Sequence, residues 1–399
     1  MATADLNPGV ITPSAPPGNG LLVLLAAMTP EQLDSVFAKL TVSFPGEELL
    51  IATPDAISEA LPASAHPSFR IVAAPASNTA WTLIATDFVN AYQLAEKHEA
   101  RAILVLGSES GSLSSFALRQ LANAALGPTD LAVPCYDLPP HAGLVNSAIL
   151  YPLTRALFAS RVRFPLAVDL GFSLRMAKRL ADAAQHFTAI NQGETPLWPV
   201  NEATEAGFTI EQFDVGSHVQ SSRPDFNTIF PLVIASLFSD IKAKAAFWQR
   251  FRPLSPASIA IPMPPAPTID TAADIAPMLS AFRLAYSNLH EIWSHVLSPN
   301  SLLMLKRLAA TDAAAFRLSD NLWARIVYDF LLAYRLRTIN RGHLLGALIP
   351  LYLAWVASHF NITASGANPE GHIEAVAAAF ETEKTYMVSR WRWPDRFNP

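Results

Sequence analysis

The sequence predicts an α/β fold, in which a mostly parallel sheet is flanked by helices and followed by a C-terminal helical domain. Between residues 20 and 135, short apolar runs alternate with stretches of helical periodicity. This alternation is typical of parallel strands with helices on the faces of the sheet. A proline-rich segment at residues 252–268 then interrupts the pattern, and the chain beyond it has helical periodicity only.

Five nearly continuous apolar runs are predicted to be strands buried on both faces. They cover residues 21–27, 49–53, 69–73, 102–106 and 131–135. The first helix is predicted to begin at Thr29-Pro30-Glu31-Gln32. Thr29 can cap it, Pro30 suits its first turn, and Gln32 can complete a capping box. Residues 208–215 predict a further strand, and residues 225–250 predict one long helix.

Changes in composition predict four regions of the chain. Residues 1–19 are a flexible tail, 20–251 the sheet domain, 252–268 an extended linker, and 269–399 the helical domain. The prolines make the linker fairly stiff. Helices in the last region are predicted over residues 271–296, 301–309, 319–338, 342–360 and 369–384.

The composition favours a folded protein of a reducing compartment. Of the 399 residues, 51% are hydrophobic and 15% charged, which argues against disorder. The net charge is −5 without a dense Lys/Arg cluster, so no nucleic-acid groove is expected. The single cysteine, Cys135, cannot form an intrachain disulfide, and no signal peptide is recognised, so we expect a cytoplasmic protein. Residues 344–360 are apolar but interrupted, which favours a buried helix over a membrane span.

Polar residues follow several of the predicted strands, where open α/β sheets place their ligands. Gly107-Ser108-Glu109-Ser110 follows the strand at 102–106, and Glu109 is its only anionic residue. Glu109 and Ser110 could assist a cation; alternatively, the segment is a polar loop that caps the next helix through Ser112 or Ser114.

The run from residue 143 to residue 173, GLVNSAILYPLTRALFASRVRFPLAVDLGFS, carries the most specific signal. It resembles the synthases that transfer glucose or mannose to glycerate or 3-phosphoglycerate (glucosyl-3-phosphoglycerate synthase-like, GT-A, family 2-like). Residues 322–330, 333–335 and 350–353 resemble the helical domain of the same family. The resemblance implies a GT-A-like sheet domain that binds a nucleotide sugar together with Mg²⁺ or Mn²⁺.

The resemblance also implies roles for individual residues. Asp169 corresponds to a carboxylate close to donor and acceptor, and His218 to a metal-binding histidine. The implied sites are Asp169 for catalysis; Ser108, Glu109, Ser110 and Gly171 for the donor; Gly143, Asn146 and Arg155 for the acceptor; and Glu109 and His218 for the metal. For each, a structural role remains the alternative: a turn for Asp169, a solvated helix face for Arg155, and a structural or solvated histidine for His218.

The chain departs from the family pattern at several positions. Serines replace both outer carboxylates of the D-x-D motif, the Lys-Gly pair is missing from residues 77–86, and Pro196 replaces an aspartate. Ala167 and Val168 replace glycines, and Leu144 stands where members that use phosphoglycerate are basic. The last substitution argues against a phosphorylated acceptor.

Three interpretations follow from this sequence. The first is a glycosyltransferase that moves a hexose from a nucleotide sugar to a small polar acceptor such as glycerate. The second is a catalytically degenerate homologue that acts as a binding or regulatory protein, and the third is an unrelated α/β protein. The expected partners are a nucleotide sugar and a small-molecule acceptor, with no nucleic acid and no membrane span, and a homodimer is compatible with the sequence.

Overall fold

The computed structural model describes residues 20–54, 68–75, 82–190, 192–218, 225–250 and 274–394. The predicted tail at 1–19 and the linker at 252–268 lie outside the described residues. So does most of the segment in which the family's Lys-Gly pair was sought, residues 77–81. The division into domains at the linker therefore stays a prediction.

A seven-stranded mixed sheet forms the centre of the first half of the chain. Its strands are β1 Leu21–Leu25, β2 Leu49–Thr53, β3 Phe69–Ala73, β4 Ala102–Leu106, β5 Leu131–Asp137, β6 Leu170–Ser173 and β7 Ile210–Ser217. The spatial order is β3-β2-β1-β4-β6-β5-β7. Only β6 runs against its neighbours, β4 and β5, whereas the other paired strands are parallel. The predicted class, a mostly parallel sheet flanked by helices, is confirmed.

Helices cover both faces of the sheet and form a further layer. They are α1 Pro30–Ser43, α2 Ala85–Lys97, α3 Ser115–Leu126, α4 Tyr151–Phe158, α5 Leu174–Ala189, α6 Pro199–Ala206, α7 Phe226–Ala243, α8 Ala245–Trp248, α9 Ala276–Asn288, α10 His290–Val296, α11 Pro299–Ala309, α12 Asp320–Leu336, α13 Arg341–Ala364 and α14 Pro369–Arg392. The side chains of α2, α5 and α6 pack on one face of the sheet, and those of α1 and α3 on the other.

The local signals in the sequence agree closely with these elements. Thr29 and Gln32 form the reciprocal capping box predicted for α1, and Pro30 occupies its first turn. Every predicted strand is present, with ends within three residues of the prediction. The long helix predicted at 225–250 is divided near Lys244 into α7 and α8.

The strand β6 was not predicted, and its presence changes the position of Asp169. The sequence placed Asp169 at the end of an apolar run, but the structure places it directly before β6. Because β6 is antiparallel to β4, the start of β6 lies beside the carboxyl end of β4. Asp169 therefore reaches the ligand-binding edge of the sheet from the opposite chain direction.

The helical layer is built from helices on both sides of the linker. Buried residues of α4 and α7 pack in one core with residues of α9 to α14, including the fully buried Trp323 and Trp355. Among the described residues, α7 and α13 are long and apolar enough to cross a bilayer by length and composition. In α13, 67% of the apolar window is buried inside this core, in agreement with the predicted core helix.

Candidate functional site

Four segments meet at the edge of the sheet where β4, β5 and β7 end. The turn after β4 supplies Glu109 and Ser112, the end of β5 supplies Tyr136, the residue before β6 is Asp169, and the residue after β7 is His218. Direct contacts join all five residues, as described below. The structure thus brings together the three residues that the sequence singled out most strongly, Glu109, Asp169 and His218.

Asp169 is held in a fixed orientation by one hydrogen bond to each carboxylate oxygen. The backbone N–H of Gly107 donates to Oδ1 at 2.9 Å, and the hydroxyl of Tyr136 donates to Oδ2 at 2.7 Å. Only 2% of Asp169 is exposed. Burial raises the pKa of this carboxyl group, although the Tyr136 and Gly107 hydrogen bonds and the nearby His218 oppose the shift. The result is a preorganised carboxyl group with little freedom to rotate.

Glu109 and His218 face each other beside Asp169. His218 Nε2 lies 3.6 Å from Glu109 Oε2, and the two side chains are 10% and 17% exposed. The other ring nitrogen, Nδ1, is 3.3 Å from the hydroxyl oxygen of Ser112. The imidazole also stacks on Tyr136, with ring centroids 4.5 Å apart and an interplanar angle of 32°. Tyr136 thus contacts both Asp169 and His218.

A bulge in the last strand directs His218 toward this site. The pairing of β5 with β7 changes register between Cys135 and Tyr136, and Gly216 adopts a left-handed conformation with φ of 76°. Bulges of this kind turn the strand and re-aim the side chains that follow. Because non-glycine residues rarely adopt this conformation, the local sequence Gly216-Ser217-His218 explains how the ring is presented.

The turn after β4 is not a continuation of the strand. Residues Ser110–Ser112 form a short 3₁₀ helix, so the alternation of a strand does not govern where Glu109 points. Ser114 caps α3 by accepting a hydrogen bond from the N–H of Ala117, as the helix-capping alternative predicted. Ser112, the other residue considered for that role, instead contacts His218. The segment therefore has both a structural part and a part that belongs to the site.

The donor set suits a hard divalent cation that is shared with phosphate groups. Mg²⁺ is commonly bound by one or two carboxylates together with substrate phosphates and water, and Mn²⁺ accepts oxygen and imidazole ligands. Glu109 and His218 supply one of each. Within the described residues, no group of three or more His, Cys, Asp or Glu side chains could hold a metal ion. The Ser110 hydroxyl is buried, and it finds no hydrogen-bond partner in the described part of the chain.

A cleft of about 420 Å³ adjoins Asp169 on the β1 side of the sheet. It is lined by the ends of the first four strands, the start of α2 and Val168, including Ala26, Pro54, Pro75, Asn90 and Val105. Val168 separates this cleft from the carboxylate of the following residue, Asp169. The cleft and the cluster of polar side chains therefore form two neighbouring parts of one edge of the sheet.

Val168 also packs tightly on the backbone at the end of β4. A Cβ atom placed on Gly107 would lie 2.9 Å from Val168 Cγ1 and 3.7 Å from Asp169 Oδ1. The crowding expected from the replacement of a family glycine by Val168 is thus present, and Gly107 is the residue that accommodates it.

Replacement of Gly107 by alanine is expected to destabilise the fold by about 1–3 kcal/mol, since the added methyl group overpacks against Val168. Chemical denaturation would measure the loss, and Val168→Ala in the same chain should recover most of it. Gly346→Ala is a matched control, because no atom lies within 4 Å of the added Cβ. Equal effects at Gly107 and Gly346 would contradict the packing argument.

Two predicted site residues have structural roles instead. Gly171 lies inside β6, paired with Leu104 and Ala132, and a Cβ there would be 2.5 Å from the carbonyl oxygen of Leu121 in α3. The predicted donor contact is corrected: glycine is needed where α3 crosses the strand. Ser108 is half-buried in the turn beside Glu109, and its predicted donor contact stays a prediction.

Arg155 is engaged in a clasp between α4 and α14. Its guanidinium group bonds both oxygens of Glu381 at 3.0 and 3.1 Å, Glu374 at 2.5 Å, and the Tyr151 hydroxyl at 3.2 Å. These partners occupy the donors that an acceptor would need. The predicted acceptor contact is therefore corrected, and so is the alternative of a solvated helix face, because Arg155 is buried.

The predicted acceptor turn leads into an irregular helix. Gly143 has φ of 63°, and residues Asn146–Leu150 are π-helical, a feature found frequently at functional sites. The side-chain amide of Asn146 donates to the carbonyl of Arg163 at 2.9 Å and so ties the turn to the segment before Asp169. Contact of Gly143 and Asn146 with an acceptor stays a prediction.

Tyr136, Ser112 and Gly107 are site residues that the sequence did not reveal. Tyr136 was recognised only as the end of a strand, and Ser112 only as a possible helix cap. Their contacts with Asp169 and His218 join segments that are far apart in the chain. One signal was available, because a tyrosine at the carboxyl end of a buried strand places its hydroxyl at the ligand-binding edge.

Comparison with known proteins gave structural neighbours only. No protein-family model and no curated protein matches the chain. Solved structures of glucosyl-3-phosphoglycerate synthase from Mycobacterium tuberculosis are similar in part. Its complex with Mn²⁺, UDP and glucosyl-3-phosphoglycerate is 16% identical, with a TM-score of 0.37, over 55% of this chain and 79% of that chain. The complex with Mg²⁺ and UDP is 18% identical over 55% and 78%, with a TM-score of 0.38. A likeness of this size does not establish membership of a family.

Proposed function

We propose that this protein is a nucleotide-sugar-dependent glycosyltransferase that transfers a hexose to a small polar acceptor such as glycerate. The proposal depends on one observation: Glu109, Asp169 and His218, which are far apart in the chain, meet at the ligand-binding edge of the sheet. Packing alone does not require a carboxylate, an imidazole and a buried carboxyl group to share one edge. Their sequence context is also the part of the chain that resembles the synthases.

Glu109 and His218 would hold Mg²⁺ or Mn²⁺ in this mechanism. A carboxylate oxygen only accepts hydrogen bonds or binds cations, and Glu109 Oε2 faces a ring nitrogen across 3.6 Å. When bound, the cation neutralises the charge that develops on the departing diphosphate. The Ser110 hydroxyl lies in the same turn and could donate to a phosphate oxygen.

Asp169 would orient donor and acceptor beside this cation. Each of its oxygens keeps a further acceptor position after bonding to Gly107 and Tyr136, so it can accept from sugar or acceptor hydroxyl groups. Because the orientation is fixed before the substrate arrives, its electrostatic contribution needs no rearrangement during the reaction. The neighbouring cleft beyond Val168 would receive the nucleotide, and the resemblance predicts retention of the anomeric configuration.

A catalytically degenerate binding protein is the second candidate. Two specific observations favour it: the described residues offer only two strong metal ligands, and Val168 fills space beside the carboxylate. Divalent affinity falls with the number of charged ligands, so the loss of both outer D-x-D carboxylates weakens cation binding. Such a protein would bind the nucleotide sugar without transferring its glycosyl group.

Thermal denaturation with UDP-, GDP- and ADP-sugars, with and without Mn²⁺ or Mg²⁺, tests the proposal. A ligand that binds the folded state raises the melting temperature by mass action, by about 2.7 kcal/mol at a concentration of 100 Kd. For the enzyme we expect a shift that requires the cation, is lost in His218→Ala and is retained in His343→Ala, a change of an exposed histidine in α13.

The same samples distinguish the candidates. Mass spectrometry of the bound mixture with glycerate should detect a hexosylated product if the protein is a transferase. A cation-independent shift without product would support the binding protein. No shift with any of the nucleotide sugars would contradict both.

A further inference from the structure

We propose that Ser112 is a positioning residue that fixes the tautomer of His218, so that Nε2 presents its lone pair toward Glu109 and a bound cation. This inference rests on the proposed function, since it concerns the same cation. Nothing in the sequence pattern assigns Ser112 a role beyond helix capping. Its importance follows from the direction of two hydrogen bonds.

The Ser112 hydroxyl has one proton, and that proton is already engaged. The hydroxyl donates to the backbone carbonyl of Glu109 at 2.8 Å. Its oxygen can therefore only accept from His218 Nδ1, which lies 3.3 Å away. An Nδ1–H that donates to Ser112 leaves Nε2 as the unprotonated nitrogen of the neutral ring. Nε2 is also the nitrogen that faces Glu109 Oε2.

Ser112 thus connects both candidate ligands through one short turn. Its backbone N–H also donates to the Glu109 carbonyl at 3.0 Å, which closes the 3₁₀ turn. The same residue consequently holds the backbone of the carboxylate ligand and orients the ring of the imidazole ligand. Metal-binding histidines are typically held in this way, by a partner on the nitrogen that does not bind the metal.

Stacking on Tyr136 alone does not determine which nitrogen carries the proton. The ring contact at 4.5 Å between centroids restricts the plane of the imidazole, but both tautomers fit that plane equally well. The Ser112 hydroxyl distinguishes them, because it is the hydrogen-bond partner that the structure gives to Nδ1. Tyr136 and Ser112 therefore fix different properties of the same ring.

The expected consequence of Ser112→Ala is a 10- to 100-fold lower affinity for Mn²⁺, the range found when outer partners of metal ligands are removed. Ser112→Thr keeps the hydroxyl and should retain the affinity. Ser114→Ala is the matched control, since it removes the cap of α3 and lowers stability without a contact to His218. Mn²⁺ binding in the presence of UDP can be measured on the full chain by electron paramagnetic resonance.

A second measurement reports the tautomer itself. Long-range ¹H–¹⁵N spectra of the wild-type protein at neutral pH should show a protonated Nδ1 and an unprotonated Nε2 at His218. In Ser112→Ala this preference should decrease, whereas it should persist in Ser114→Ala. A change in stability alone would not move these nitrogen shifts.

The outcomes separate this inference from the proposed function. If the wild-type protein does not bind Mn²⁺, the proposed cation site fails, and the tautomer spectra still decide the role of Ser112. If the wild-type protein binds Mn²⁺ and His218→Ala does not, the cation site stands. An unchanged affinity and an unchanged tautomer in Ser112→Ala would then overturn the role of Ser112 alone.

Discussion

Replacement of Asp169 by asparagine is expected to lower the turnover of nucleotide sugar and glycerate on the order of 10²- to 10³-fold, the cost of removing one preorganised electrostatic group. The fold should survive this change. The amide oxygen can still accept from the N–H of Gly107, and the amide nitrogen can donate to the Tyr136 hydroxyl oxygen. Steady-state kinetics and the melting temperature should therefore respond very differently.

Tyr136→Phe is the matched control for this substitution. It removes one hydrogen bond to Asp169 but keeps the carboxyl group, its contact with Gly107 and most of the ring that stacks on His218. We expect a smaller loss than in Asp169→Asn, because the charge stays in place. Equal turnover in Asp169→Asn and the wild-type protein would contradict the catalytic role of Asp169.

A buried histidine in the helical layer should make the stability of the protein fall in acid. Burial lowers the pKa of His359 to about 3, and the nearby His372, His141 and Arg163 add to the shift. The ring stacks on Trp355, and its Nδ1 lies 2.7 Å from Nδ1 of His372. His372 in turn contacts Asp320 at 3.1 Å. A charge on His359 is therefore unfavourable in the folded state.

The sign of the effect follows from the two states. In the unfolded chain, His359 has an ordinary pKa of about 6.5, so it binds a proton at higher pH than in the folded state. Its contribution to stability is complete above pH 6.5 and is lost as the pH falls from about 6.5 toward 3. The free energy of unfolding should decrease by at most about 1.4 kcal/mol per pH unit in this window.

His359→Gln isolates this contribution, because glutamine keeps a hydrogen-bonding group and does not titrate. Chemical denaturation between pH 7 and pH 4 should give a shallower pH dependence for His359→Gln than for the wild-type protein. Burial also raises the pKa of Asp329 to about 6, which acts in the opposite direction between about pH 4 and 6. That contribution is common to both proteins and cancels in the difference.

His343→Gln provides the control at an exposed position of the same helix, and its pH dependence should equal that of the wild-type protein. Parallel curves for His359→Gln and the wild-type protein would show that His359 titrates normally in the folded state. The interpretation of the histidine pair as a buried, uncharged group would then be wrong.

The sequence predicted the repeating elements of the fold well, because their signals are local. The capping box at Thr29 and Gln32 and the apolar runs of the first five strands depend only on residues close together in the chain. The strand β6 escaped prediction for the same reason. It has four residues and a glycine at a crossing, and its antiparallel pairing depends on neighbours far away in sequence.

The candidate site divides along the same line. Asp169 and His218 were identified from their sequence context, but their roles as neighbours depend on the reversed direction of β6 and the bulge in β7. Arg155 had a sequence context of similar quality, and the structure engages it with Glu374 and Glu381 of α14. Sequence context could not tell these cases apart, since the partners of Arg155 are more than two hundred residues away.

By itself, the sequence determined that this chain forms a parallel α/β sheet with a helical layer, and that its polar residues gather at strand ends. Periodicity and capping are short-range properties, and so they can be read directly from the chain. Only the tertiary structure decided which polar side chains meet. Hydrogen bonds such as those from Tyr136 to Asp169 and between Ser112 and His218 form over about 3 Å, a distance that only the folded chain brings within reach.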